Sequence, residues 1–600
     1  MKTTNRFSAI CITVFIFVIN LFPQDISTGI KMMKNEKYAE AKNYFLSLNN
    51  TNRTTEAYFY LGQICFLQNN IDSALICYNK GIESNKDFPL NYAGRYKLSI
   101  LKNNLSEAEL DLEKAIDTDG RLKSSAYVTI AEVYSDKSKH YDFNKAKDYL
   151  EQAIKSDNKN IEAFIALGKL FFSASNGTEA IKNYESALNI DRNNSEALTL
   201  KAQVYILIKN YDEAIILLNQ AITNDSTYSI QYKVLAELYA ELKEYSKAAE
   251  YYLKYISAAV KTPENLRRYA ALLYLNKEYN KSIETLHSLE STADDLISTT
   301  RILAYAYFKM DDLNQSKIYF EKLFAADSVE YLTTDYENFS ELLSRTGNDS
   351  LAIEYLYKIT ESDSSRNDVY GKISVLQFKN KNWDGVTSAL KNKKSLTAQE
   401  FFDLGKAHYF VAENLLTGLI QKVSDKITLT PELKTLIRSA IIKYQQSSGD
   451  DIATGEFIRN VETLFDKPQK NLFSSLKEDW QKEVKAAPVY SNYISAENAL
   501  TNLNDKAPEL AIGYFWKARV RTNLDPETTK GLAKPDYEKF IAMAEKDSSK
   551  FKKELSEAYS YMGYFYYLQN DNELSRQYWE KVLIVEPENK QATDVLKHLK

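Results

Sequence analysis

Six small residues, Ala146, Ala180, Ala214, Ala248, Ser282 and Ser316, recur every 34 residues without an insertion. One globular core has no reason to keep so strict a register over so long a stretch; a stacked array of equal units does. Five of the six have a second small residue twelve positions earlier, Gly168, Ala202, Ala236, Ala270 and Ala304. Two helices joined by a tight turn cross closely only where both lack bulk, and large neighbours fill the space around the crossing. Phe164, Leu167, Phe171 and Tyr184 supply that bulk around Gly168 and Ala180, and Leu198, Tyr205 and Leu218 supply it for the next pair. Gly168 costs a helix interior roughly 1 kcal/mol relative to Ala, so its presence implies a close backbone approach that compensates.

The pairing extends to both sides of the regular run. Upstream it continues as Gly29 with Ala41, Gly62 with Ala74, Tyr96 with Ala108, whose first member is bulky, and Ala131 with Ala146, three residues longer. Downstream it continues as Ser340 with Ala352, Ser374 with Val386, Ala518 with Ala533 and Gly563 with Ser575. Through Phe164, Leu167, Gly168, Phe171, Ala180, Tyr184 and Ala187 in one unit, and Tyr559, Met562, Gly563, Tyr566, Trp579 and Pro587 in the last, the pattern resembles the tetratricopeptide repeat. The resemblance implies an all-α, right-handed superhelical solenoid of about fourteen helical hairpins. Their first helices would line a concave groove that takes a peptide segment of another protein. The Lys, Asn and Tyr bias, with Leu524-Asp525-Pro526 and Gly531-Leu532-Ala533-Lys534-Pro535, resembles exported repeat proteins of Bacteroidota-type bacteria.

Composition fits such an array. Ten Pro and 17 Gly in 600 residues are little punctuation, and 44% apolar residues with 44 Tyr can bury long helices. A solenoid grows without enlarging any one core, so length does not divide this chain into several globular domains. The net charge of -5, with Lys and Glu mixed along the helices, gives no electrostatic footprint for nucleic acid, and the charges read as a solvated face.

Lys2 and Arg6 precede an apolar run from Phe7 to Phe22, the order of a secretory signal. That run falls short of the ~30 Å hydrocarbon core, so residues 1–24 read as a cleaved leader, with an uncleaved anchor as the alternative and the only route to a membrane. Asn20-Leu21-Phe22-Pro23-Gln24 lacks the small residues a signal peptidase prefers. Outside this stretch only Cys65 and Cys77 remain, on the two helices of one hairpin, as small buried hydrophobes or a disulfide.

Catalytic signals are missing. His140, His287, His408 and His598 are scattered, without metal-ligand or acid–base partners at motif spacing, and His408 falls within a core stripe. The chain reads as a non-enzymatic scaffold with no catalytic, metal or cofactor residues. One unit is broken: Phe401, Leu404, Gly405 and His408 read as a first helix, but the matching second helix comes only at Ile494, Ala496, Leu500 and Leu503. From Gly405 to Ala496 is 91 residues against the usual twelve, so 79 residues are inserted in one hairpin. The register resumes beyond it, which gives an array over 25–411, an insertion over 412–489 and a resumed array over 490–600. The insertion reads as helical, with a start at Thr430-Pro431-Glu432 and further helices over 457–465 and 472–486. It is either a partner site or a lid packed on neighbouring repeats.

The residues expected to touch a partner sit beside the core stripe on the first helices: Ile165, Lys169 and Phe172; Arg267, Ala271 and Tyr274; Arg301, Tyr305 and Phe308. Arg beside Tyr and Phe is enriched in binding hot spots, whereas aromatics here also serve to pack hairpins together. The reading is an exported scaffold that binds a partner protein in its groove or through the insertion. The alternatives are an enzyme or carbohydrate-binding component with its site in the insertion, and a membrane-anchored envelope assembly factor.

Overall fold

The computed structural model describes residues 25–49, 51–135, 140–290, 296–326, 329–447 and 451–599; the leader candidate, 1–24, lies outside them. Every regular element among the described residues is helical. Fourteen hairpins follow one another, from Ile26–Lys34 with Tyr38–Ser47 to Lys552–Leu568 with Asn572–Val585, and helix Lys590–His598 covers the end of the last. The chain divides into two compact units, Met1–Asp327 and Ser328–Lys600, with nine hairpins in the first and five in the second.

The crossing is built the same way in hairpin after hairpin. The small residue of the first helix meets a bulky residue sixteen positions on, in the second helix. A β-carbon added to Gly29 would lie 2.4 Å from the Phe45 ring, one on Gly62 2.3 Å from Tyr78, one on Gly168 2.4 Å from Tyr184 and one on Gly563 2.7 Å from Trp579. The four rings are fully buried, so none can swing aside. Where the second helix carries Ser in place of Ala, the buried hydroxyl donates to the carbonyl twelve residues back. Ser282 bonds Ala270 at 2.7 Å, Ser316 bonds Ala304 at 2.9 Å and Ser575 bonds Gly563 at 2.9 Å. A buried hydroxyl is tolerated there because the carbonyl has a second lone pair to offer. In the third hairpin, where Tyr96 stands in the small position, the close approach of the first helix is to the preceding hairpin, at Gly94, whose β-carbon would lie 2.4 Å from the Tyr78 ring. The Tyr96 hydroxyl meets that of Tyr134 at 2.7 Å. Cys65 and Cys77 are free thiols, and burial, with Cys65 alongside, pushes Cys77 up to about 11.

The turns repeat too. Seven residues past the small position the backbone is left-handed: φ is 61° at Ser175, Lys209 and Lys243, 64° at Lys277 and 66° at Asp311, with Glu36, Asn69, Asn103, Lys381 and Asn570 alike. This ends the first helix. The next residue is often Asn or Asp, whose side chain accepts the N–H three residues on and starts the second helix; Asn176, Asn210 and Asp312 do so at 3.2, 3.5 and 3.0 Å.

In the broken unit the left-handed position falls on Ala412, a good helix former, and the helix does not stop at 411. It runs unbroken as Ala398–Ser424, so the insertion leaves from the end of a lengthened helix. The chain returns in helix Val489–Lys506. There a β-carbon on Gly405 would lie 2.6 Å from Leu500, and His408 Nδ1 lies 2.7 Å from Asn492 Oδ1. With the 79 inserted residues set aside, Leu500 is the sixteenth residue after Gly405 and Asn492 takes the place of the cap Asn210. One late repeat is thus split by a helical insertion. Its helices are Pro431–Gln446, Asp451–Thr463, Lys467–Ser474 and Lys477–Ala486; the single helix expected over 472–486 is broken at Ser475 and Leu476.

The insertion is docked onto the array. Trp480 is buried and donates Nε1–H to the Leu419 carbonyl at 2.8 Å. Arg438 reaches Glu413, the Tyr493 hydroxyl and Asn523, while Gln446 donates to the Leu524 carbonyl at 2.7 Å. These contacts fasten it to its own hairpin and to the end of the next first helix, Ala511–Leu524.

Two glycines give opposite expectations. Gly168→Ala should destabilise the array by about 1–2 kcal/mol, because the clash with Tyr184 outweighs the gain in helix propensity. Gly418, mid-helix with nothing within 4 Å of its β-position, should give a gain of about 1 kcal/mol as Gly418→Ala. Denaturant unfolding of both variants checks the pair. Deleting 413–491 with Ala412→Gly places a left-handed turn residue directly before Asn492, which would then cap the second helix. The shortened chain should be soluble and keep its helicity per residue by circular dichroism; aggregation or lost helicity would mean that the insertion is needed to hold the split hairpin.

Candidate functional site

In the first unit the structure separates the expected partner residues. Lys169 is exposed, but its Nζ is 2.8 Å from Glu196, which lies also within reach of Lys34. Burial works against the Glu196 charge, yet Lys169 and Lys34 outweigh it and hold the carboxyl down at about 2. Phe172 is half-buried and packs on Ala180, Tyr184 and Val204 of the neighbouring elements. Tyr274 and Tyr305 come together across adjacent hairpins at 6.2 Å, and Tyr305 lies 5.9 Å from Phe320. Arg267 and Arg301 are half-buried and already have partners. Two expectations are corrected: Phe308 and Ile165 are core residues, 4% and 1% exposed, and Ile165 packs between Ala187 of its own hairpin and Ala197 of the next. His287, read as lacking a partner, has Glu290 at 2.9 Å from Nδ1 and the Tyr307 hydroxyl at 2.9 Å from Nε2. His408 is packed and its pKa is lowered by burial, in keeping with its place in the core stripe.

The same positions on the first helices of the second unit converge. Counting from Gly405 and Ala518 as from Gly168 selects Phe402, Lys406 and Tyr409 on one helix and Phe515 and Arg519 on another. The split hairpin sets these two helices side by side, with Trp516 beneath. Lys406 Nζ is held by rings: Trp516 at 4.9 Å and Phe378 and Phe402 each at 5.2 Å. The Arg519 guanidinium stacks on the other part of this layer, 4.8 Å from Trp516 and 4.9 Å from Phe515, and its Nε donates to Glu557 at 2.9 Å. Tyr409 packs edge-on to Trp516 at 5.5 Å, and burial pushes its hydroxyl up to about 12. Burial also raises the carboxyl of Asp403, one turn away, and lowers the Lys406 ammonium despite that carboxylate.

Tetratricopeptide repeat models match residues 171–238, and 55–88 together with 302–329. The chain carries tetratricopeptide repeats (TPR). A TPR array is a scaffold for interaction between proteins. Solved structures similar to this TPR chain include the C-terminal part of a TPR repeat-containing protein from Cytophaga hutchinsonii, 22% identical over 55% of this chain and 98% of that one, with a TM-score of 0.34. A TPR protein from Parabacteroides merdae is 18% identical over 41% of this chain and 95% of that one, TM-score 0.29. The human IFIT1 dimer with m7Gppp-AAAA is 13% identical over 63% of this chain and 90% of that one, TM-score 0.35. Among curated proteins none matches. No helix among the described residues is long and apolar enough to cross a membrane, and no group of His, Cys, Asp and Glu among them could hold a metal ion.

The cost of the buried cation can be measured. A lysine whose folded pKa is lowered destabilises the fold wherever it is charged in both states, and the penalty disappears as pH rises toward the ordinary 10.5. Lys406→Met should therefore raise the unfolding midpoint at pH 7, and the advantage should shrink as pH rises toward 10.5. An advantage that grows with pH would contradict this reading of the site.

Proposed function

We propose that this TPR protein is an exported scaffold whose second unit binds an acidic segment of a partner protein on the wall formed by Phe402, Lys406, Tyr409, Trp516 and Arg519. The observation that carries the reading is Lys406, a cation taken partly out of water and held by three rings at a cost in stability. Charges kept where they oppose stability mark sites of function. Rigid rings beside a desolvated cation are also what binding hot spots are made of. Export is supported by the charged and then apolar order of residues 1–24.

Affinity capture from the cell-envelope fraction, compared between the wild-type chain and Lys406→Glu, tests the site. Recovery of the principal partner should fall at least tenfold while the helical circular dichroism signal stays unchanged; equal recovery would remove this wall from the binding model. The mature N-terminus, read by mass spectrometry on the envelope-associated protein, tests export and should lack residues 1–24.

A second reading places a ligand in the insertion, where a cavity of about 420 Å³ lies between helices Pro431–Gln446 and Asp451–Thr463, lined by Tyr444, Glu456, Phe457 and Asn460 among others. Polar groups over buried rings suit a sugar better than an apolar ligand. Oligosaccharide binding that is lost in Glu456→Ala would favour it.

A further inference from the structure

The turn of the first hairpin makes contacts that span more than a hundred residues of sequence. Lys34 Nζ lies 2.6 Å from Glu162 and 2.8 Å from Glu196, at the starts of the first helices of hairpins five and six. Asn35 is buried, and its Oδ1 accepts the backbone N–H of Ser229 at 2.7 Å, just before helix Ile230–Glu241 of hairpin seven. The Tyr255 hydroxyl donates to Glu36 at 2.5 Å, and Lys31 lies 3.2 Å from Asp225. Amides at a helix start have no partner within the helix, so the Asn35 bond satisfies a group that is otherwise left to water.

The seam is polar and incompletely filled. Lys31 and Lys34 keep a third or more of their side-chain surface exposed, and a cavity of about 300 Å³ runs along the seam between Ile30, Lys34, Asn194 and Tyr228. The Lys31–Asp225 and Lys34–Glu162 pairs, exposed on both sides, contribute little, and the Lys34–Glu196 pair, whose carboxylate is nearly buried, is the stronger hold. Among the described residues the first hairpin stacks on one hairpin only, the second, and its helices are nine and ten residues long. In a linear array such a terminal unit is the one held least strongly. The surface beneath it is acidic, with Glu162, Glu196 and Asp225 each facing a lysine of the turn.

We propose that the turn of the first hairpin is a reversible latch, and that its release opens the acidic corners of hairpins five to seven to a lysine-bearing segment of a partner, for which Lys31 and Lys34 are the resident stand-ins. This surface shares no residue with the wall at Lys406, so the two proposals stand or fall independently.

Hydrogen exchange on the full chain, read at single-residue resolution, tests the latch. The Ser229 amide and the amides of residues 38–47 should exchange at a common rate, at least tenfold faster than those of hairpin five. Lys34→Ala with Asn35→Ala should speed Ser229 at least tenfold further and leave residues 552–585 unchanged. Protection of the first hairpin equal to that of hairpin five, or a Ser229 amide indifferent to the two substitutions, would overturn the latch. A synthetic octalysine peptide tests the surface. It should bind the Lys34→Ala, Asn35→Ala chain at least tenfold more tightly than the wild type, and Glu196→Gln in the opened chain should remove that gain. Equal binding to the opened and wild-type chains would overturn the assignment of the surface to a basic segment.

Discussion

A residue without bulk on one helix, pressed against a large buried side chain sixteen positions further on, is the contact from which the hairpins are built. It sets how near two helices can come, and that distance fixes where each hairpin meets the next. Glycine stands against the rings of Phe45, Tyr78, Tyr184 and Trp579, where a methyl group would overlap, while Ala236 and Ala304 stand sixteen residues before the buried rings of Tyr252 and Phe320. Alanine suffices at Ala202 and Ala270, which face Leu218 and Leu286. The helix propensity lost at each glycine is offset by burial of an aromatic side chain, worth about 1.5–3 kcal/mol. Each crossing is local, so the array can lengthen without any core becoming larger.

The turn, by contrast, can be dispensed with. Its ordinary form is a left-handed residue followed by a cap, and the left-handed conformation costs an L-residue such as Lys209 or Lys243 roughly 1–2 kcal/mol. With Ala412 in that place the helix simply continues. The hairpin still forms because Gly405 and Leu500 reproduce the crossing when the chain returns. Closing so long an excursion is affordable in entropy, since loop cost grows only with the logarithm of length, and the excursion packs Phe457, Phe473 and Trp480 into one core with the array. An insertion enters an array most easily at a hairpin tip, where it disturbs no crossing.

The 34-residue period, the pairs of small residues and the split at Gly405 were legible in the sequence because they follow from local packing with a fixed register. The turns were less so, because lysine and glutamate at φ near 60° carry none of the usual Gly or Asn signal. Counting along a helix places Tyr274 and Tyr305 on one stripe, where their rings meet, but puts the buried Phe308 there as well, since a residue at the margin of the stripe faces either the groove or the next hairpin according to a few degrees of rotation. The same counting would have reached Lys406 and Arg519. What it could not show is that Trp516 lies under both, for that depends on how the split hairpin packs. The contacts of Lys34 with Glu162 and Glu196 were beyond sequence reasoning, as they arise from rotation accumulated over five hairpins.

The central claim is that the crossing survives across the insertion, and the most direct measurement is a double-mutant cycle between Gly405 and Leu500, 95 residues apart. Gly405→Ala alone should destabilise through overlap with Leu500, and Leu500→Ala alone through the cavity it leaves. Together they should show a favourable coupling of about 1 kcal/mol or more, because the added methyl group enters the space that leucine vacates. Additive effects would mean that the two positions do not meet, and that the residues after the insertion begin a separate array.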